Sequence, residues 1–455
     1  MEKSNFTEGG ILAPLVRFAL PVLLALLLQS MYGAVDLLVV GQFGTKADVS
    51  AVSTGAQVMM TLTNLVASFA MGATVLLGRQ IGEGKGEQGG ETIGACILLF
   101  LLIAAAMTAL IVPGAGALAG AMHAPKEAFA LTANYVRICG AGAVVIIAYN
   151  LIGSVFRGIG DSATPLITVA IACCCNILGD LLLVAVFRLG TVGAAVATVF
   201  AQGVSVAASL LLIRRKRLPF TLKREHIRLN RRIILQVTHL GLPIALQDLL
   251  VGLSFLIIQA IVNSLGLVPS AGVGVAERVC GFIMLVPLAF MQSMSAFVAQ
   301  NAGAGRYDRA EKSLLCGIGL SLAVGVVMAW FSFFRGELLA GLFSRDPDVI
   351  AAAADYLRAY GIDCMLTPIF FCFIGYYNGL GMTRFVMLQG IVSAFCVRVP
   401  FSWLMSRQTP VSLFRIGLAT PASSTLQIVL CLAFMVYVRR KVLPERGRGG
   451  RANAA

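Results

Sequence analysis

The sequence predicts an all-α integral membrane protein: twelve transmembrane helices in two pseudo-symmetric six-helix lobes. Three observations predict it. The composition is strongly apolar, windows of bilayer-spanning length recur along the chain, and short motifs repeat about 221 residues apart. Hydrophobic residues fill 58% of the 455 positions, charged residues only 12%, and the mean hydropathy is +0.88. So few charges cannot cover the surface of a water-soluble protein of this size. A helix needs about 20 predominantly apolar residues to cross a hydrocarbon layer roughly 30 Å thick. Such windows lie at 12–41, 48–77, 91–112, 127–155, 163–188, 191–213, 233–262, 270–300, 310–334, 349–378, 383–406 and 410–438.

The first window is too long for a signal-peptide core and no convincing small-residue cleavage site follows it, so it is expected to stay in the mature protein. The 11 cysteines are odd in number and sit mostly inside apolar windows, with neither a disulfide framework nor a zinc spacing. The net charge of +14 is distributed in a way that argues against nucleic acid. With the N-terminus taken as cytoplasmic, 24 Lys and Arg residues fall in connections on that side, 7 on the other and 4 within helices. This is the positive-inside bias, and it places both termini in the cytoplasm of a cell-membrane protein. The chain therefore divides into a lobe at 1–213, a basic cytoplasmic connector at 214–232, a second lobe at 233–438 and a basic tail at 439–455. The connector, RRKRLPFTLKREHIRLNRR, is expected to set topology and touch anionic lipid heads.

The repeat supports the two-lobe division. YVRICG at 135–140 is echoed by YLRAYG at 356–361, RGIGD at 157–161 by NGLGM at 378–382, and GRQIGEGKGE at 78–87 by AQNAGAGRYD at 299–308. LPV at 20–22 is echoed by LPI at 242–244. Each half crosses the membrane an even number of times, so the halves share one orientation and are related about the membrane normal. Parallel repeats of this kind are a transporter architecture.

The energy source follows partly from an absence. The glycine-rich stretch GRQIGEGKGEQ lacks the spacing and the hydroxyl residue of a nucleotide-binding P-loop. An ion gradient then requires ionisable groups inside the membrane. A charged Asp at the centre of a membrane helix costs about 2.5 to 3.5 kcal/mol on insertion scales, so such residues face polar interiors and mark ion or proton paths. Asp180, in CCCNILGDLLLV, is one, with Asn176 one turn earlier on the same face. Asp36, in QSMYGAVDLLVV, is another, with Gln29 and Tyr32 on its face. The two acids lie at similar depth in the outer half of the membrane, as expected of a site that takes up a proton outside and releases it inside.

With these residues in place, the chain resembles the multidrug and toxic compound extrusion (MATE) family over essentially its whole length, most closely in the first lobe. The resemblance implies a coupling network of Gln29, Asp36, Tyr135, Asn150, Asn176, Asp180 and Thr198, with Asp36 and Asp180 binding the coupling ion, and a bend at Pro21 in the first helix. In a straight helix Asn150 would lie about 22 Å along the axis from Tyr135. Sodium-driven members carry a glutamate eight residues after the proline of the seventh helix, where this chain has Val251. The repeat maps Asp36 to Ile258 and Asp180 to Phe401, so the second lobe lacks the paired acids. Asp248, Glu277 and Asp363 remain there as candidate cation ligands, although Glu277 reads more simply as a local pair with Arg278.

Met284, Met291, Phe282 and Phe290, with Met59, Met60, Met71, Met294 and Phe297, are candidates for an adaptable apolar substrate wall. The acids favour cationic, amphipathic small molecules as substrates. The expected protein is a monomeric, proton-coupled secondary exporter, with sodium as the alternative ion, no other cofactor or metal, and no enzymatic activity. Three alternatives remain. A lipid-linked saccharide flippase needs an Arg- and Lys-rich cavity, whereas only Arg137, Arg278, Arg358 and Arg398 lie within helices. An intramembrane aspartyl protease is suggested by the G-x-G-D at 158–161, but its repeat partner GLGM lacks the aspartate, which leaves a tight turn as the shared element. A scaffold without transport leaves the intramembrane acids unexplained.

Overall fold

A computed structural model of the chain describes residues 6–216 and 218–442. The tail assigned to 439–455 therefore lies, from residue 443 onward, outside the described residues. Each of the twelve apolar windows is helical, and among the described residues there is no strand. The spans are α1 (Leu12–Phe43), α2 (Lys46–Gly82), α3 (Gln88–Ala121), α4 (Lys126–Ala141 with Ala143–Gly158), α5 (Ala163–Val186), α6 (Gly190–Arg215), α7 (Arg231–Asn263), α8 (Leu267–Gly303), α9 (Tyr307–Phe334), α10 (Pro347–Gly379), α11 (Thr383–Ser406) and α12 (Leu413–Arg440). In a bilayer this is forced, because backbone amides in hydrocarbon must be satisfied within their own segment.

The α4 span, which covers the window at 127–155, is bent: its two pieces meet at Gly142 at 55°. Two glycines in G-A-G at 140–142 weaken the helix there. Its repeat partner α10 runs unbroken.

The repeat extends to the turns. Gly160 and Gly381, at matching positions of the two G-x-G motifs, have φ of +82° and +76°. The backbone bonds around them match as well: Asp161 N donates to Phe156 O at 2.9 Å, and Met382 N to Tyr377 O at 2.8 Å. A left-handed residue one past a helix end is the glycine C-cap geometry that lets a chain reverse at once.

The described residues fold as two compact units, one of residues 20–245 and the other of residues 6–19 and 246–442. The division falls inside α1 and α7, beside Pro21 and Pro243. In the first unit α2 is central and packs on both pieces of α4, while α5 pairs with α6. Gly72 and Gly241 let α2 and α7 touch backbone to backbone: a Cβ on Gly241 would meet Phe69 O at 2.2 Å. The connector, expected against lipid heads, docks in part on the protein. Phe220 is buried against Leu77 and Ile93, and Gly94 leaves room for the carbonyl of His226. Lys223, Arg224 and Arg228 stay exposed.

Asp161, the acid of the G-x-G-D motif, ties the α4–α5 turn to the end of α6. It accepts from Lys216 Nζ at 2.6 Å and from Thr164 Oγ1 at 2.6 Å. Burial opposes its ionisation, but the Lys216 ammonium and the Thr164 donors outweigh burial and hold the carboxyl below its ordinary value.

In the second unit α10 is the central helix, packed by α8, α9 and α12. Residues 6–10 are strapped to the end of α8 and the start of α9. Phe6 is 1% exposed, with its ring edge-on to Phe18 and tilted against Phe297 at centroid distances of 5.1 and 5.0 Å. Arg309 closes the strap: its guanidinium donates to the carbonyls of Phe6, Glu8, Gly9 and Gly10 at 2.6 to 2.9 Å. Asn301 Nδ2 adds a bond to Phe6 O at 3.1 Å. Only arginine presents donors in a fork wide enough to hold a turn of backbone this way.

Two predictions follow from these anchors. Phe6→Ala should destabilise the protein by about 3 kcal/mol, read as a lowered thermal midpoint in detergent; a loss near zero would mean the ring contributes nothing to the strap. A carboxylate held below its ordinary value contributes stability above about pH 4 that is lost as pH falls through the folded value. Asp161→Asn should therefore lower stability at neutral pH and shrink the drop between about pH 6 and pH 3; an unchanged acid profile would refute the tie.

Candidate functional site

The first unit buries two carboxylic acids together. Asp36 on α1 is 5% exposed and Asp180 on α5 is wholly buried. The two carboxyls are close enough to interact directly, yet neither oxygen of Asp180 has a hydrogen-bond partner of regular geometry among the described residues. Thr198 on α6 donates to Asp36 Oδ2 at 3.2 Å and shares its hydroxyl with Ala194 O of its own helix at 3.0 Å. Asn176, one turn before Asp180, lies beside Asp36, with its amide near the carboxyl but in no hydrogen bond of regular geometry. Tyr135 on α4 is buried next to Thr198 and Asp36, its ring held by Gly55, where a Cβ would meet Cδ1 at 2.5 Å.

Four helices thus supply five of the predicted residues. Directly after Asp180 the helix widens into a π-turn over Leu181–Val186. Such widened turns leave backbone groups loosely paired and are common at functional positions. No basic side chain forms an ion pair with either acid among the described residues. The arrangement is a two-carboxyl pocket with a hydroxyl, an amide and a phenol around it, suited to hold a proton or a small cation.

Two transferred residues fall elsewhere. Gln29 donates to Tyr149 OH at 2.7 Å, and Asn150 Nδ2 donates to Ile146 O of its own helix at 2.8 Å. The participant beside Asn150 is its neighbour Tyr149, which the repeat could not single out. Gln202, one turn after Thr198 on α6, was missed also and donates to Tyr32 OH at 3.3 Å. Its i+4 spacing from Thr198 was the available signal. Gln29, Tyr32, Tyr149 and Gln202 form a second polar tier. Pro21 lies within α1, which continues through it, one residue past the division between the units.

In the second unit Asp248 is exposed on α7. Glu277 makes no ion pair with Arg278, which is exposed, and keeps one carboxyl oxygen buried and unpartnered. Asp363 on α10 is 1% exposed and accepts from Thr367 Oγ1 at 2.8 Å. Among the wall candidates, Met284, Met291 and Phe290 are half-buried, while Phe282 and Met60 are exposed and Phe282 stacks on Phe343. Met59, Met71, Met294 and Phe297 are core, since they are buried, and Met294 fills the space beside Gly317.

The profile of the MatE family matches residues 21–182 and 243–404. The chain belongs to the MatE family. The two matched segments start 222 residues apart, in keeping with the repeat seen in the sequence and in the turns. Relatives of this MatE chain include the probable multidrug resistance protein YpnP of Bacillus subtilis, 26% identical over 439 residues, covering 96% of this chain and 97% of the relative. The multidrug export protein MepA of Staphylococcus aureus is 24% identical over 416 residues, 88% of each chain. Among solved structures, a MATE transporter in complex with MaL6 superposes with a TM-score of 0.89 at 20% identity, over 98% of this chain and 100% of that one. A MOP superfamily transporter from Pyrococcus furiosus gives the same TM-score and identity, over 98% of this chain and 99% of that one. The protein is a multi-pass membrane transporter with the two-lobe, twelve-helix MATE fold.

Because neither Asp180 oxygen has a hydrogen bond of regular geometry among the described residues, replacing the carboxyl by an amide removes a buried acid without breaking one. Asp180→Asn in this MatE protein should insert normally and unfold at a temperature equal to or above wild type. A marked drop would show that the carboxylate is structural glue.

Proposed function

We propose that this MatE protein exports cationic and amphipathic organic compounds across the cytoplasmic membrane as a monomer, in exchange for protons bound by Asp36 and Asp180. Both termini are cytoplasmic in this reading, as the distribution of Lys and Arg requires. One observation carries it: two carboxyls buried in contact range, without a basic partner. Like charges so placed cannot both stay ionised unless a cation joins them, and a shared proton is the smallest that does. Val251 in the position of the sodium branch's glutamate supports the proton over sodium. The names of YpnP and MepA support drugs as the substrates. Asn176, Thr198 and Tyr135 surround the acids and supply dipoles that follow their charge state, and Pro21 allows α1 to bend as that state changes.

Protons and a cationic substrate compete for the same negative charge. By linkage, each weakens the other's binding by the same factor. Binding of a fluorescent organic cation to purified protein should weaken as the pH is lowered from about 8 to 5. The profile of Asp36→Asn/Asp180→Asn should be flat. Reconstituted in vesicles, either single Asn variant should lose uphill export driven by a pH gradient, because an amide cannot cycle a proton. Export by the double variant, or wild-type export that follows an imposed sodium gradient and ignores a pH gradient, would overturn the assignment.

A further inference from the structure

The second unit contains its own buried polar cluster, built from helices that the repeat makes equivalent to those of the first site. Asp36 comes from α1, Tyr135 from α4, the Asn176 and Asp180 pair from α5 and Thr198 from α6. In the second unit Ser254 comes from α7, Asp363 from α10, Arg398 from α11 and Ser424 from α12, with Glu277 of α8 beside them. The chemistry differs in one respect. The first cluster has two acids and no base, whereas the second has a guanidinium at its centre.

Arg398 is 3% exposed, which is costly for a charge at membrane depth and explicable only by partners. One terminal nitrogen donates to Ser254 Oγ at 3.2 Å, and the guanidinium lies 4.5 Å from the centre of the Phe255 ring. It is the base whose charge reaches Asp363. No nitrogen and oxygen of the two come within ion-pair distance, and each keeps one buried atom, Arg398 Nε and Asp363 Oδ1, without a hydrogen bond of regular geometry. In a low-dielectric interior their attraction acts across that gap. Tyr356, Tyr360 and Cys364 of α10 and Glu277 and Cys280 of α8 are the other titratable groups around them.

We infer that Arg398 is a resident cation: its guanidinium occupies in the second unit the role that a bound coupling ion has in the first, so Asp363 is neutralised from within and takes no ion from solution. A guanidinium does not deprotonate in proteins, so this charge cannot cycle. Arg398 thereby determines that the transporter carries one coupling site rather than two. The inference rests on the placement of coupling at Asp36 and Asp180, but it is tested on different residues and by stability instead of transport.

The experiment is thermal unfolding of the purified full chain in detergent, in sodium chloride and in choline chloride of equal ionic strength. Asp363→Asn and Arg398→Gln should each lower the midpoint, because each leaves one buried charge uncompensated. The double variant should recover most of the loss. Arg398→Gln should regain stability in sodium relative to choline, since the exposed need of Asp363 and Glu277 is then met from solution. Arg398→Lys, which keeps the charge, should behave like wild type and show no such sodium response. Additive losses in the double variant, or a wild-type sodium response that Asp363→Asn abolishes, would overturn the inference. A wild-type sodium response that persists in the double variant with Glu277→Gln added belongs to Asp36 and Asp180 and would overturn proton coupling instead.

Discussion

Hydrocarbon solvates neither an amide nor a charge, and this one fact shapes the protein at every level. It forces the backbone into helices long enough to close their own hydrogen bonds across the bilayer. It also means that a polar side chain at membrane depth must find its partner inside the protein. The buried acids and bases, Asp36 and Asp180 in one unit and Asp363 and Arg398 in the other, are thus collected from several spans into two clusters, while the surfaces around them remain Leu, Val, Ile and Phe. Thr198, Tyr135 and Asn176 around Asp36, and Ser254, Phe255 and Asp363 around Arg398, are two solutions to one constraint.

The repeat supplies one frame for both solutions. Matching glycines make matching turns at Gly160 and Gly381, and Tyr135 and Tyr356 occupy equivalent, buried positions on α4 and α10. On that frame the two units have diverged in charge. The first offers two carboxyls that lack a base, a state that asks for a proton or cation. The second supplies the positive charge itself. Divergence of this kind is cheap in sequence, since a single arginine suffices, and large in consequence, since it decides whether a helix cluster exchanges ions with water.

Outside the bilayer the constraint relaxes and ordinary polar chemistry fastens the helix ends. Arg309 holds four carbonyls of the strap, Asp161 joins Lys216 to Thr164, and Asp48, which completes the capping box of Thr45 at the start of α2, also accepts from Thr191 at the start of α6. These contacts join segments far apart in sequence. They fix where α1, α2 and α6 begin or end, and so the depth at which Asp36 and Thr198 are presented.

Apolar windows and the repeat made the twelve spans and the two halves legible in the sequence, because span length and composition follow directly from bilayer thickness. Asp36 and Asp180 were legible for the same reason, as charges in places where charge is expensive. What lay beyond the sequence depends on rotation and proximity between helices, which no spacing along one helix encodes. The bend at Gly142 leaves Asn150 bonded to its own backbone and Gln29 paired with Tyr149. Packing left Glu277 without the Arg278 pair expected of sequence neighbours, because adjacent residues on a helix point about 100° apart. Above all, the placing of Arg398 in the same cluster as Asp363, 35 residues earlier in the chain, was decided by tertiary structure alone: in a low-dielectric interior a charge acts on whatever helix packing brings near it, whatever its distance along the chain.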